Sequence, residues 1–365
     1  MRVCFFAERQ VGIGSIASVL ERQVRLQHDV DVTWRDVTYY EEGGAIERLP
    51  LLPAAAKSAL RAFRQTGEGL RAGPFDALFF LTHNPAVLRH GALKRTPTCV
   101  WTDVTPMQLD RLAWAYEHPV ATSPLVRSLK QAAVARTFRL AERCLGWSSW
   151  TTRSFIDDYG VGPEKTAVVA PGIEVSHWAA PPREAREGRP FKFVFVGGHF
   201  ERKGGKLLLD VYRQRLRDRC ELSIITRDEV PEERGVRVHR NLVAGSDALR
   251  TLLHEADAFV LPTLADCHSI ASLEAMASGL PVVLTRIGAS SEIVQDGRSG
   301  ILIPPADGAA LGDALERLAA DRAGALAMGA RGLELAKRDF DAHVVAGKIF
   351  EHLRAMAGRG KAATG

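Results

Sequence analysis

At 365 residues, 46% of them hydrophobic and 25% charged, the chain has the length of two domains and an ordinary globular composition. Lys and Arg total 48 against 43 Asp and Glu; this net +5 suits an anionic ligand or a bilayer surface but falls far short of a nucleic-acid binder, and no zinc-finger or RNA-binding motif is present. The five cysteines, Cys4, Cys99, Cys144, Cys220 and Cys267, are scattered and mostly set among apolar residues, which predicts reduced thiols in a cytoplasmic protein rather than a disulfide framework. The N-terminal apolar run meets the charge of Glu8 too soon for a signal peptide, and no run reaches the ~20 apolar residues of a membrane span.

In chain order, strands alternate with helices in both halves, the pattern of parallel sheets covered on two faces. The first strand, near 2–6, runs into the loop Gln10 to Ser15, with Gly12 and Gly14, and then into a helix. Strands follow near 30–34, 76–81, 97–101, 120–122, 145–148 and 166–170. A helix over Pro124 to Arg143 carries Arg127, Lys130, Arg136, Arg139 and Arg143, either as a solvated face or as a membrane-facing one. The prolines and charges of Ala179 to Pro190 suit an exposed linker, which sets domains at 1–178 and 191–340. The second half repeats the scheme with strands near 191–196, 221–226, 236–240, 258–262, 281–286 and 300–303, and a last helix near 341–358.

The strand at 191–196 opens into Gly197-Gly198-His199-Phe200-Glu201-Arg202-Lys203-Gly204-Gly205. Glycines there let the backbone approach a pyrophosphate, the following helix N-terminus adds amide donors, and Lys203 adds a point charge. A plain strand-to-helix turn accounts for the first-domain glycines equally well. Neither loop has the G-x-G-x-x-G spacing of a nicotinamide dinucleotide site.

The most informative stretch is 258–287, AFVLPTLADCHSIASLEAMASGLPVVLTRI: an apolar strand, a loop carrying Asp266, a short helix carrying Glu274 and a second apolar strand. Ser269 stands where a helix N-cap belongs, and Gly279 followed by Pro281 closes the helix. No Lys or Arg lies between Asp266 and Pro281, and Ile270, Leu273, Ala277 and Ser278 around Glu274 are small or apolar. Its carboxylate must therefore find hydrogen-bond donors elsewhere. Asp266 falls just outside a helix N-terminus at the carboxyl end of a parallel strand, where open sheets bind ligands.

This stretch resembles the donor-binding segment of retaining glycosyltransferase family 4, the group 1 glycosyl transferases. That pattern is an acid, seven residues, Glu, then Ala-Met-Ala-x-Gly-x-Pro-Val; Asp266, Glu274 and Ala275 to Val282 match it, with Asp where the family usually has Glu. The resemblance implies that Glu274 binds the ribose hydroxyls of a sugar nucleotide, and that Asp266, with the loop residues His268, Ser269 and Ile270, holds the donor sugar. It also implies that Gly197, Gly198 and Lys203 meet the diphosphate, with Gly12 and Gly14 approaching from the first domain. The family's usual Arg falls on Gly198, which leaves Arg202 as the nearest basic substitute. A His that many relatives place after the fourth strand falls on Thr102, and Asp103 and His83 are the polar residues left to face the cleft. Pro171-Gly172-Ile173 matches the family's turn before the linker.

The expectation is an α/β chain of the GT-B fold: two Rossmann-like, doubly wound parallel-sheet domains facing a cleft. Residues 1–178, with the C-terminal helix packed back on them, would form the acceptor domain, and 191–340 the nucleotide-sugar donor domain. The expected reaction is a metal-independent, retaining transfer from a UDP- or GDP-sugar to a hydroxyl of a glycan, lipid-linked or small-molecule acceptor, with Lys203, Asp266 and Glu274 as catalytic residues. No Asp-x-Asp or His cluster suggests a metal, and no cofactor beyond the sugar nucleotide is expected. The expected location is the cytoplasm, with peripheral contact at the inner membrane face as a weaker extension. A nucleotide-sugar epimerase of the same fold and a non-catalytic sugar-nucleotide-binding protein are the alternatives. A glycosidase would need two carboxyls flanking one bond ~5–9.5 Å apart and has no use for a phosphate cradle.

Overall fold

The structure, a computed structural model, describes residues 1–9, 12–116, 123–182, 184 and 188–362. It divides into two compact units: Met1–Ala113, His118–Gly172 and Ala342–Gly365 form one, and Trp114–Glu117 with Ile173–Asp341 the other. The chain thus leaves the first unit at Gly172, and the segment read from sequence as a linker goes with the second, save for residue 183 and residues 185–187, which lie outside the described residues. Side chains give the reason. Val175 and Trp178 are buried, His254 donates to the Trp178 carbonyl at 2.9 Å, and Arg189 pairs with Asp257 at 2.6 Å.

In the first unit, β1 (Arg2–Glu8), β2 (Asp31–Val37), β3 (Ala77–Leu81), β4 (Thr98–Thr102), β5 (Arg143–Gly146) and β6 (Thr166–Val168) form one parallel sheet in the order β2-β1-β3-β4-β5-β6. The runs ALFFL and TCVWT of β3 and β4 are buried throughout, as strands covered on both faces must be. Helix α1 (Ile13–Arg25) turns Ile16, Ala17, Leu20 and Val24 inward at helical spacing. Helix α2 (Pro124–Leu140) starts on a proline at its first position and buries Val134 and Phe138. Its Arg127, Lys130, Arg136 and Arg139 are exposed, beside exposed Leu125 and Leu129. The fifth strand ends at Gly146, short of the expected 148, because Ser148 caps the next helix by accepting from the Thr151 amide. The strand expected near 120–122 lies outside the described residues. The C-terminal helix Ala342–Ala362 packs on α1 and β3, with Phe350 against Phe5 and Arg354 paired to Asp29 at 2.9 Å.

In the second unit, β7 (Phe191–Val196), β8 (Cys220–Thr226), β9 (Val236–Arg240), β10 (Ala258–Leu261), β11 (Val282–Thr285) and β12 (Gly300–Ile303) form a parallel sheet in the order β12-β11-β10-β7-β8-β9. Two helices concern the site here: α3 (Gly205–Val211) follows β7, and α4 (Ile270–Ala277) follows β10. Each sheet has one place where the chain reverses its direction of growth, between β1 and β3 in the first unit and between β7 and β10 in the second. Loops diverge at such a point and leave a crevice beyond the strands' carboxyl ends. All five cysteines are buried, and none forms a disulfide. Among the described residues, no helix is long and apolar enough to cross a membrane.

Candidate active site

Glycines shape the loop after β7 where no side chain fits. A Cβ on Gly197 would stand 2.8 Å from that of Lys203, and one on Gly204, at φ +77°, would come within 1.9 Å of the Pro262 carbonyl. This close packing carries Lys203 from the end of β7 to the end of β10. There its Nζ donates to Asp266 Oδ2 at 2.5 Å, with the two side chains only 16% and 13% exposed. The amides of this loop are largely spent within the unit. Those of Lys203, Gly204 and Gly205 donate to the carbonyls of His199, Glu201 and Phe200 at 2.8–3.0 Å, and that of Phe200 to Asp228 at 2.6 Å. The side chain of Lys203 adds a positive charge to this loop.

Arg202, the nearest basic residue to Lys203 in sequence, has partners within the second unit. Its guanidinium lies 4.3 Å over the Tyr116 ring and donates to the Ala265 carbonyl at 3.1 Å, so it braces the Asp266 loop. The Tyr116 hydroxyl in turn meets Cys267 Sγ at 3.6 Å. Arg227, which the sequence reading passed over, is better placed. It follows directly on β8, is exposed, and its Nε lies 3.8 Å from where a Cβ on Gly198 would stand. A basic residue closing an apolar strand next to the glycine loop was the available signal.

Helix α4 forms as its caps dictate. Ser269 accepts from the Ser272 amide at 3.2 Å, while the Gly279 amide, with φ +74° at that residue, reaches Met276 O and the Leu280 amide reaches Ala275 O. Glu274 sits on this helix at 9% exposure, and burial pushes its carboxyl up to about 8. His268 is buried, and that burial pulls its imidazole down to about 4 against the opposing charge of Asp266. A pocket lined by Asp266, His268, Ser269, Thr285 and Ser290 adjoins the loop, and the buried Thr285 hydroxyl has no partner there. Ile270 is the first residue of the helix. Among the described residues, no group of His, Cys, Asp and Glu could hold a metal ion.

The first-unit residues are more dispersed. Gly12 takes φ +89° to cap α1, Gly14 follows in the first turn, and Gln10 and Val11 of that loop lie outside the described residues. His83 is buried with its ring 5.6 Å from that of Phe138, and burial lowers it to about 4, so it is a neutral packed side chain. Thr102 turns its hydroxyl onto the Val104 carbonyl at 3.1 Å. Asp103, by contrast, is raised to about 6, first by burial and further by the charge of Glu8. Glu8 entered the sequence reading only as the charge that ends the N-terminal apolar run.

Comparison with known proteins agrees with this geometry. Residues 190–321 match the family described as glycosyl transferases group 1. An MMP alpha-(1->4)-mannosyltransferase of Mycolicibacterium hassiacum is 31% identical over 183 residues, 47% of this chain and 44% of that protein. The chain spans about half the length of the curated relatives it matches. Among solved structures, sucrose-phosphate synthase of Thermosynechococcus elongatus superposes with a TM-score of 0.73 at 15% identity, covering 97% of this chain and 99% of that one. Anabaena HepE in complex with UDP gives 0.70 at 15%, covering 97% and 100%. Residues 190–321 are thus similar to the group 1 glycosyl transferases, and the fold of the chain is GT-B.

Proposed function

We propose that the protein is a retaining glycosyltransferase that moves a sugar from a nucleoside diphosphate sugar to a hydroxyl acceptor without a metal ion. The observation that carries this reading is the Lys203–Asp266 pair at the β7/β10 switch point, with Glu274 buried on the adjoining helix. Cleavage of the anomeric bond leaves negative charge on the diphosphate and positive charge on the sugar. The Lys203 ammonium, held at the strand ends before substrate arrives, offsets the first, and one preorganised donor of this kind supplies roughly 2.7–4 kcal/mol. Arg227 adds a second cation where Gly198 leaves room. Asp266 gives Oδ2 to Lys203 and keeps Oδ1 for a hydroxyl of the donor sugar. Glu274, a carboxyl that burial keeps protonated at neutral pH, regains its charge when ribose hydroxyls donate to it.

Retention of configuration rests on the family resemblance. UDP and GDP are the first nucleotides to test, UDP because a protein of this fold is solved with it. A thermal-shift series should show stabilisation approaching about 2.7 kcal/mol when a nucleoside diphosphate reaches ~100 times its dissociation constant. The matching nucleotide sugar should release diphosphate when acceptor is present, and equally in EDTA. Binding without release would leave a sugar-nucleotide-binding protein, release without transfer to acceptor would point to epimer formation or hydrolysis, and full loss in EDTA would reject the metal-independent reading.

A further inference from the structure

One face of the first unit's sheet is covered by helices whose charge is unlike that of the rest of the chain. The helix Ala54–Arg71, the short helices Asn84–Val87 and His90–Leu93, and α2 send Ala62, Ala86, Leu93 and Phe138 into one core with Phe80 and Val100 of the sheet. They form a single layer with a common outer face. Residues 54–71, 84–95 and 124–140 hold eleven Lys and Arg against one acid, Glu68, a net +10; the whole chain has +5, so the remainder is net −5. Of the eleven only Arg61 is buried, paired with Glu41 and Glu47.

The cations crowd one another across the helices. A Cβ on Gly67 would stand 2.7 Å from the Arg89 guanidinium and 3.6 Å from that of Arg71, and Arg89 is lowered by burial and then by the charge of Arg71. His90 meets the Thr137 hydroxyl of α2 at 2.8 Å, where burial, and after it the charges of Arg136 and Lys94, pull its imidazole down. Like charges gathered with one acid among them repel, and an anionic surface relieves that repulsion.

Apolar side chains stand out from the same layer. Every residue from Ser123 to Lys130 is exposed, and Leu125 and Leu129, one turn apart on α2, are 69% and 63% exposed. Leu51, which shortly precedes Ala54–Arg71, is fully exposed at φ +64°. Ala54–Arg71 and α2 each lead into a parallel strand and run back along the sheet, so both begin at its carboxyl edge, and the three leucines mark that one end of the layer. Cations alone would suit any polyanion. Exposed leucines beside them suit a lipid surface, which has both phosphates and an acyl boundary.

We propose that this layer is a docking face for an anionic lipid bilayer, with Lys130, Arg136, Arg139 and the cations of the neighbouring helices against lipid phosphates and Leu51, Leu125 and Leu129 in the acyl boundary. The chain lies on the bilayer, since among the described residues no helix is long and apolar enough to cross it. The proposal does not rest on the glycosyltransferase reading.

Co-sedimentation of the full chain with vesicles tests this, with phosphatidylglycerol and phosphatidylcholine in equal parts against phosphatidylcholine alone. Partition onto the anionic vesicles should be at least ~10-fold higher and should fall as salt is raised. Lys130→Gln, Arg136→Gln and Arg139→Gln combined should lower it at least ~30-fold, and Leu125→Ser with Leu129→Ser about 10-fold. Arg234→Gln, Arg237→Gln and Arg298→Gln combined remove as much charge from exposed positions of the second unit and should change it less than ~2-fold. Circular dichroism checks each fold; if the first-unit cation variant fails to fold, the leucine variant carries the comparison. Equal partition onto both vesicles, wild-type partition in a folded cation or leucine variant, an equal loss in the second-unit variant, or binding to RNA but not to anionic vesicles would overturn the proposal. Vesicle binding by a chain that takes no nucleoside diphosphate would reject the glycosyltransferase reading and leave this one standing.

Discussion

The two switch points are the same solution in backbone and opposite ones in charge. Both crevices lie where a parallel six-stranded sheet reverses its order, and both hold a buried acid at a strand end. In the second unit the acid is matched, with Asp266 holding Lys203 at 2.5 Å and Arg227 standing next to the glycine loop. In the first, Glu8 has Thr82, Tyr39 and Asn84 as its side-chain partners, its charge raises the Asp103 carboxyl further, and the neighbouring Arg9 is engaged with Asp36 and Glu21. Topology therefore provides the crevice, and a handful of side chains at the strand ends decides which charges line it.

The hardest blow to the second switch point is Lys203→Ala, which should lower turnover at least ~100-fold with the fold intact. A folded variant keeping more than half the activity would show that the cation there is dispensable. Glu274→Gln comes next. Diphosphate affinity in isothermal titration should fall by about 1.5–3 kcal/mol, alike for free diphosphate and whole donor, because the contact is to ribose. The same variant should gain stability at alkaline pH. Folding raises this carboxyl from 4.5 to about 8, so its contribution is full below the lower value and lost as pH rises through the upper one. Melting curves of wild type and variant should thus coincide near pH 4 and diverge by pH 9; parallel curves would mean that Glu274 is solvated.

The first switch point offers a smaller effect of its own. Thr82→Gly relieves the left-handed backbone and should raise stability by about 1 kcal/mol in denaturant titration. A loss of stability would place the strain elsewhere. The smallest change expected is at Arg227→Ala, an exposed cation worth up to about 1 kcal/mol, read as a rise in KM for the donor with little change in kcat. An unchanged KM would leave Lys203 as the cation that matters.

The local structure of the stretch 258–287 was legible because its features are local. Asp266, the Ser269 cap, Glu274 and the Gly279 stop lie within one strand-loop-helix passage, and caps and periodicity show directly in residue order. The contacts of Arg202 were not legible, for the opposite reason. Adjacent to Lys203 in sequence, it points to the Tyr116 ring, contributed by the short segment that leaves the first unit's chain to join the second unit. The prolines and charges of the expected linker likewise said nothing of the partner that Arg189 finds in Asp257.

By itself the sequence determined two parallel sheets, from alternating apolar strands and helices, and the capped helix that carries Glu274, from one continuous pattern of acid, cap and glycine. The tertiary structure alone brought Lys203 to Asp266 across 63 positions, set Arg227 beside Gly198, and gathered Glu8, Thr82 and Asp103 from three strands. The physical reason is that strand order in a sheet is a long-range choice. Periodicity reports which face of an element is buried, but only the packed order of strands decides which loop ends meet, and therefore which charges share a crevice.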